Sequence, residues 1–265
     1  MTRFLAALAT ALGWTVAAAA HDPWLQCNTN VARVGDAIHI DLMLGNHGNG
    51  HRDFKLAGKV DREAGSVVVV APDGKRYDLK DRLADTGYAP KEGYWTARFV
   101  GDRPGLHQVA FLNDRVVSYA PKRAVQSAKA YFVLSKSLDR VPKDNPGFDT
   151  PLGHPLELVP EASPVTPMGP GQPIKVRLLF RGKPLADEVV SFIPRGEALA
   201  AAFDPRYERQ TDAAGRASFS PKEGNYFLVV AHREESTERG TGYDSTKYSA
   251  TLCVSVPQVC PCCGE

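Results

Sequence analysis

In Ala37-Ile38-His39-Ile40-Asp41-Leu42-Met43-Leu44, every second side chain is a large aliphatic one. Successive side chains of an extended strand point to opposite faces, so Ile38, Ile40, Leu42 and Leu44 share one face that must be buried. This two-residue rhythm dominates over helical periodicity along the whole chain. Ser66–Ala71 is a β-branched run closed by Pro72-Asp73-Gly74-Lys75, where proline presets φ and glycine permits a positive one. Tyr94–Val100, Gly105–Leu112 and Ala128–Leu134 add further strands at the spacing of an antiparallel sandwich. Strand–helix alternation does not appear, which excludes a doubly wound α/β sheet.

Between Ser135 and Pro173 the rhythm breaks. Pro142, Pro146, Pro151, Pro155, Pro160, Pro164, Pro167 and Pro170 fall there, and a proline has no N–H to give to a sheet ladder. Leu156-Glu157-Leu158-Val159 reads as an edge-like first strand of a second unit. Beyond it come the strand Ile174–Phe180, the turn Arg181-Gly182-Lys183-Pro184-Leu185, the strand Val189–Ile193, and the hairpin Arg209–Phe219 around Asp212-Ala213-Ala214-Gly215. Gly224–His232 and Ser249–Val256 close the sheet, and 234–242 reads as a polar loop. The expected fold is all-β: two β-sandwich domains, Ig-like or transthyretin-like, joined by a Pro-rich linker. The N-terminal sandwich occupies 21–134, the linker 135–154 and the C-terminal sandwich 155–257, with a Cys-rich tail at 258–265.

Residues 1–20 read as a secretory leader. Arg3 supplies the positive end, Phe4–Val16 a short apolar stretch, and Ala18-Ala19-Ala20 the small-residue cleavage pattern. The apolar stretch is too short for a membrane span, so the expected product is periplasmic or secreted and at most peripheral to a membrane. Charge is nearly balanced, with 32 basic and 30 acidic residues and no basic block, which gives nucleic-acid binding no support. Five cysteines is an odd count for an oxidising compartment. Cys260, Cys262 and Cys263 crowd the tail, where thiolates suit a soft metal ion or oxidative pairing with another chain; adjacent Cys262 and Cys263 would bond to each other only under strain. A Cys27–Cys253 bridge is compatible with the sequence but not fixed by it.

Cleavage after Ala20 would begin the chain at His21. A histidine with a free α-amine offers two nitrogens from one residue, the amine and Nδ1, which close a chelate ring on a metal. The bland alternative is an arbitrary polar residue after the cut. His47 and His51 share the Gly/Asn-rich loop Gly45-Asn46-His47-Gly48-Asn49-Gly50-His51, which can aim two imidazoles at one point or simply be a solvated tip. His232 ends the apolar strand Phe227–Ala231. His39, His107 and His154 are weaker candidates, and Trp24 and Trp95 read as core.

The segments His21-Asp22-Pro23-Trp24-Leu25, Gly153–Pro160, Arg181–Leu185, Thr211–Arg216 and Tyr248–Leu252 resemble the DUF4198 family across nearly the whole chain after the leader. That resemblance implies an exported protein linked to nickel or cobalt uptake, and it places histidines at His47 and His232. The cysteine tail and Cys253 depart from the family pattern and favour a softer ion. Imidazole plus amine suits Cu(II) or Ni(II), and the affinity order favours copper. The expectation is therefore a divalent transition metal (Ni, Co or Cu) held by His21, His47 and His232, with His51 as a further donor and Cys260, Cys262 and Cys263 as a second, softer site. The partner would be a membrane metal transporter or another receiving protein. No Gly-x-Ser-x-Gly elbow, His-Glu-x-x-His helix or phosphate loop is present, and an enzyme is not expected. The competing expectation is a non-catalytic module that binds protein or carbohydrate. A copper oxidase is chemically conceivable, but nothing in the sequence specifies the flat aromatic face it needs.

Overall fold

The computed structural model describes residues 21–45, 47, 63, 65–87, 92–200 and 203–262. The leader, His51 and Cys263 lie outside them. The fold is all-β. In chain order the first half holds β1 (Asp22–Cys27), β2 (Val31–Arg33), β3 (Ala37–Gly45), β4 (Gly65–Val70), β5 (Arg76–Asp78), β6 (Ala84–Asp85), β7 (Trp95–Val100), β8 (Gly105–Val116) and β9 (Lys122–Ser135). The second half holds β10 (Leu156–Pro160), β11 (Ile174–Phe180), β12 (Lys183–Pro184), β13 (Val189–Pro194), β14 (Glu208–Gln210), β15 (Arg216–Phe219), β16 (Asn225–Glu235) and β17 (Ser245–Val256). Among the described residues no helix is long and apolar enough to cross a membrane.

These strands form three sheets. Two are small: β1-β3-β7-β6 in the first half, and β10-β11-β12 with β15 on β11 in the second. The third has nine strands and runs through both halves in the order β14-β13-β16-β17-β9-β8-β4-β5, with β2 on β9. The join is a parallel pairing of β17 with β9, from Ser245↔Lys122 to Leu252↔Lys129. Each small sheet covers one region of the large one, which produces the sandwich layers.

The register of β9 explains how one strand serves both halves. Val125, Tyr131 and Val133 enter the second-half core with Leu158, Val176, Phe192 and Leu252. Ala128, Ala130, Phe132 and Leu134 face the other way, into the first-half core with Ile38, Ile40, Val69 and Phe99. A strand buried on both faces reads as a continuous apolar run, and the run Ala128–Leu134 has this origin. Each fully buried Val, Leu or Phe stabilises by about 1.5–3 kcal/mol, so both cores depend on β9.

The Pro-rich stretch is irregular but bonded. Asn145 Nδ2 donates to Pro142 O (2.7 Å) and Thr166 Oγ1 (2.6 Å), and Thr166 Oγ1 donates to Pro142 O (3.0 Å). These side chains provide the donors that proline cannot. Where the stretch enters β10, Glu157 is buried against Lys129 of β9, with Nζ–Oε1 at 2.5 Å. The same carboxylate accepts the backbone N–H groups of Leu152 (2.6 Å), Gly153 (3.0 Å) and His154 (3.1 Å). Burial raises the pKa of Glu157, but Lys129 and the backbone donors outweigh burial and hold it below the usual carboxylate range. The polar loop expected at 234–242 begins later than its composition suggests. β16 runs on through Glu235, where Glu234↔Lys247 and Glu235↔Thr246 extend the ladder to β17.

Candidate functional site

The seam between the first small sheet and the large sheet gathers two of the candidate histidines. β1 pairs antiparallel with β3 so that Asp22 faces Gly45, and His47 follows two residues later. Thr251 Oγ1 of β17 donates to Pro23 O (2.8 Å), which fixes β1 over the large sheet. Asp22 and Trp24 are two residues apart and therefore share one face of β1, about 7 Å apart along the strand. Each meets one histidine.

His232, from β16, approaches Asp22. Its Nε2 lies 3.0 Å from Oδ1 and 2.9 Å from Oδ2 of the buried carboxylate. In the neutral ring Nε2–H donates to the carboxylate, so Nδ1 carries the lone pair. A carboxylate behind one ring nitrogen is the arrangement that orients imidazoles for metal ligation.

His47 approaches Trp24. Its backbone is left-handed, with φ at 65°, which is uncommon for a residue with a Cβ. Both its carbonyl and its ring are anchored at the end of β13: Gly196 N donates to His47 O (3.1 Å), and His47 Nδ1 lies 3.2 Å from Ile193 O. Nδ1 must carry the proton in that contact, so Nε2 is the open lone pair. His47 is 5 % exposed. Burial, reinforced by the nearby Arg195 charge, pulls its pKa down to about 4, so the ring is neutral at physiological pH. The Trp24 ring meets it edge-on, with centroids 5.6 Å apart and planes at 72°. His47 Nε2 and Trp24 Nε1 are both buried with no hydrogen-bond partner among the described residues. Leaving a buried polar atom unsatisfied costs about 1–3 kcal/mol, and here one acceptor and one donor are so left among the described residues.

Met43, Ile193, Leu228, Val230 and Cys253 form an apolar cluster with Trp24 around this pair. Arg195 Nη1 donates to Gln26 Oε1 (3.1 Å) across the seam. His21 stands half-buried at the start of β1. Among the described residues no group of three or more His, Cys, Asp or Glu side chains forms a ready metal cage.

The other candidates separate from this seam. His39 is exposed on β3. His107 is a core histidine, stacked on Phe132 at 4.8 Å with Nδ1 3.1 Å from Gly105 O. His154 is buried beside Glu157, and burial lowers its pKa to about 4. Cys260 and Cys262 follow β17 past Val256, seven positions beyond Ser249, the partner of His232. At about 3.3 Å per residue, Val256 itself lies roughly 23 Å along the strand from Ser249. Cys27 lies in the first-half core and Cys253 in the seam cluster. Sequence reasoning missed Asp22 as the partner of His232, although it directly follows His21. It also read Trp24 only as core, and only the fold leaves its indole N–H without a partner among the described residues.

The fold and seam define a predominantly β, sandwich-type protein with a buried polar pair, partly unsatisfied among the described residues, between its two halves. Residues 18–235 match the family described as "Domain of unknown function (DUF4198)", and the chain belongs to that family. No curated protein matches it. Similar solved structures include the D0-D1 domain of intimin, at 13% identity, covering 88% of this chain and 97% of that one, with a TM-score of 0.25. A DUF4785 family protein from Legionella pneumophila shows 13% identity and a TM-score of 0.29 over 78% of this chain and 52% of its own. The ectodomain of mouse nectin-like molecule 4 shows 12% identity and a TM-score of 0.22 over 90% and 65%. At these scores the likenesses carry no functional argument.

Proposed function

We propose that this is an exported, non-enzymatic protein that captures a divalent transition metal ion (Ni, Co or Cu) as cargo and passes it to a membrane transporter. The observation that supports this reading most is the pairing at the seam. His47 offers a neutral imidazole whose Nδ1–H is held by a carbonyl and whose buried Nε2 has no partner among the described residues, on the β1 face where Asp22 orients His232. Such outer contacts fix which nitrogen a ligand histidine presents. The cage is incomplete among the described residues. In this reading the missing donors are the His21 α-amine, which exists only after leader removal, and His51.

The test is calorimetric titration of the chain starting at His21 with Ni(II), Co(II) and Cu(II). The expected result is one tight site, weakened at least about 10-fold both by His47→Asn, which tolerates the left-handed backbone, and by one alanine added before His21. Equal affinity in all three proteins, with unchanged circular dichroism, overturns the reading and leaves the protein- or carbohydrate-binding module.

A further inference from the structure

The chain sorts its described cysteines into two chemical kinds. Cys27 and Cys253 are buried within the cores, and burial pushes both thiols up, Cys253 to about 12 and Cys27 further. A buried thiol kept protonated is a poor nucleophile, so these two behave as small apolar side chains. Cys260 and Cys262 are only half-buried, and their Sγ atoms lie 2.7 Å apart across exposed Pro261. That separation puts the two sulfurs in direct contact, with either able to donate to the other.

The pair is also fixed to the body of the protein. Gly224 lies so close to Gln258 that a Cβ there would stand 2.8 Å from the Gln258 backbone nitrogen. Gly169 faces the Pro257 carbonyl and the Cys260 nitrogen. Proline at 261 limits the backbone between the sulfurs and keeps them together. The two thiols therefore meet at high effective concentration, at a place an external molecule can reach.

We propose that Cys260 and Cys262 form a dithiol–disulfide couple that exchanges with an external disulfide. One tail thiolate attacks the external disulfide, forms a mixed disulfide and expels one thiol. The second tail thiolate then attacks the protein sulfur of that mixed bond and releases the other thiol. The protein loses two protons and two electrons, and the external disulfide gains them as two thiols. The small ring and its exposure give a labile bond rather than a structural one. This assignment is independent of the histidine seam and stands or falls without it.

The probe is glutathione. The purified chain is equilibrated at a series of oxidised-to-reduced glutathione ratios, acid-quenched, alkylated in denaturant, and read by intact mass and peptide fragmentation. The expected oxidised product is about 2 Da lighter, carries two fewer labels and has its bridge at Cys260–Cys262. Reduced glutathione reverses it, and Cys262→Ser accumulates a glutathione adduct on Cys260. A Cys27→Ser/Cys253→Ser variant titrates identically. Full labelling at every ratio overturns the proposal, as does a bridge to Cys263 or to a second chain. A soft metal ion retained on the thiols in native mass spectrometry overturns it as well.

Discussion

Replacing Glu157 by Gln removes one charge from a pair that has almost no access to water. Glu157 and Lys129 are 1 % and 2 % exposed, and the carboxylate also takes three backbone N–H groups from the entry to β10. The substituted amide keeps the shape and one acceptor oxygen but leaves the Lys129 ammonium buried and uncompensated. Breaking such a pair from one side costs about 3–5 kcal/mol. In a chain of this size that corresponds to a melting-point drop of roughly 6–20 °C. Lys129 then loses the attraction that offsets its burial, so the stability of the variant rises with pH toward about 10, where the unfolded lysine also loses its proton. The double variant Lys129→Met/Glu157→Gln removes the stranded charge and recovers most of the loss. Urea and thermal unfolding of the parent, Glu157→Gln, Lys129→Met and the double variant give the coupling energy, expected above about 2 kcal/mol. If Glu157→Gln alone costs less than about 1 kcal/mol, or the two changes simply add, the pair does not tie the large sheet to β10 and the reasoning fails.

Burial holds the His154 pKa at about 4, against about 6.5 in the unfolded chain, so the unfolded state takes up more protons as pH falls below 6.5. Unfolding at pH 5 should therefore show about 2 kcal/mol less stability from this group than at pH 7, and His154→Gln should flatten that part of the pH profile; an unchanged slope would contradict it. Asp22→Asn should weaken metal capture by about 10–100-fold with little change in melting temperature, if the carboxylate sets the donor nitrogen of His232; unaltered titration curves would remove it from the site. Gly215→Ala should cost more than about 2 kcal/mol by urea unfolding, because its φ is +75° and a Cβ would stand 2.6 Å from the Leu178 carbonyl oxygen; a neutral result would mean that this hairpin relaxes freely.

The strands were legible because burial writes itself as alternation. Ile38, Ile40, Leu42 and Leu44 all enter one core, and Ile174, Val176 and Leu178 another. The joining of the halves was not legible. Parallel pairing of β17 with β9 links segments more than a hundred residues apart, and two apolar edges carry no local mark of which will meet. Glu157 sits between apolar neighbours in Leu-Glu-Leu-Val, and alternation assigns such a carboxylate to solvent; only the approach of Lys129 makes its burial possible. At the seam, His47 and His232 were visible as histidines at strand ends. Their orientation depends on Ile193 O and Asp22, which come from the opposite half of the chain in each case.

That β9 lends one face to each core limits how the molecule can be dissected. A fragment cut in the proline-rich connection would leave β17 with a bare parallel edge in one piece, and Tyr131 and Val133 uncovered in the other. Neither piece is a self-sufficient unit, and exposed edges of this kind invite aggregation. The two sandwiches should melt in a single transition, so damage to either one reaches the shared seam where Asp22 and His47 are held.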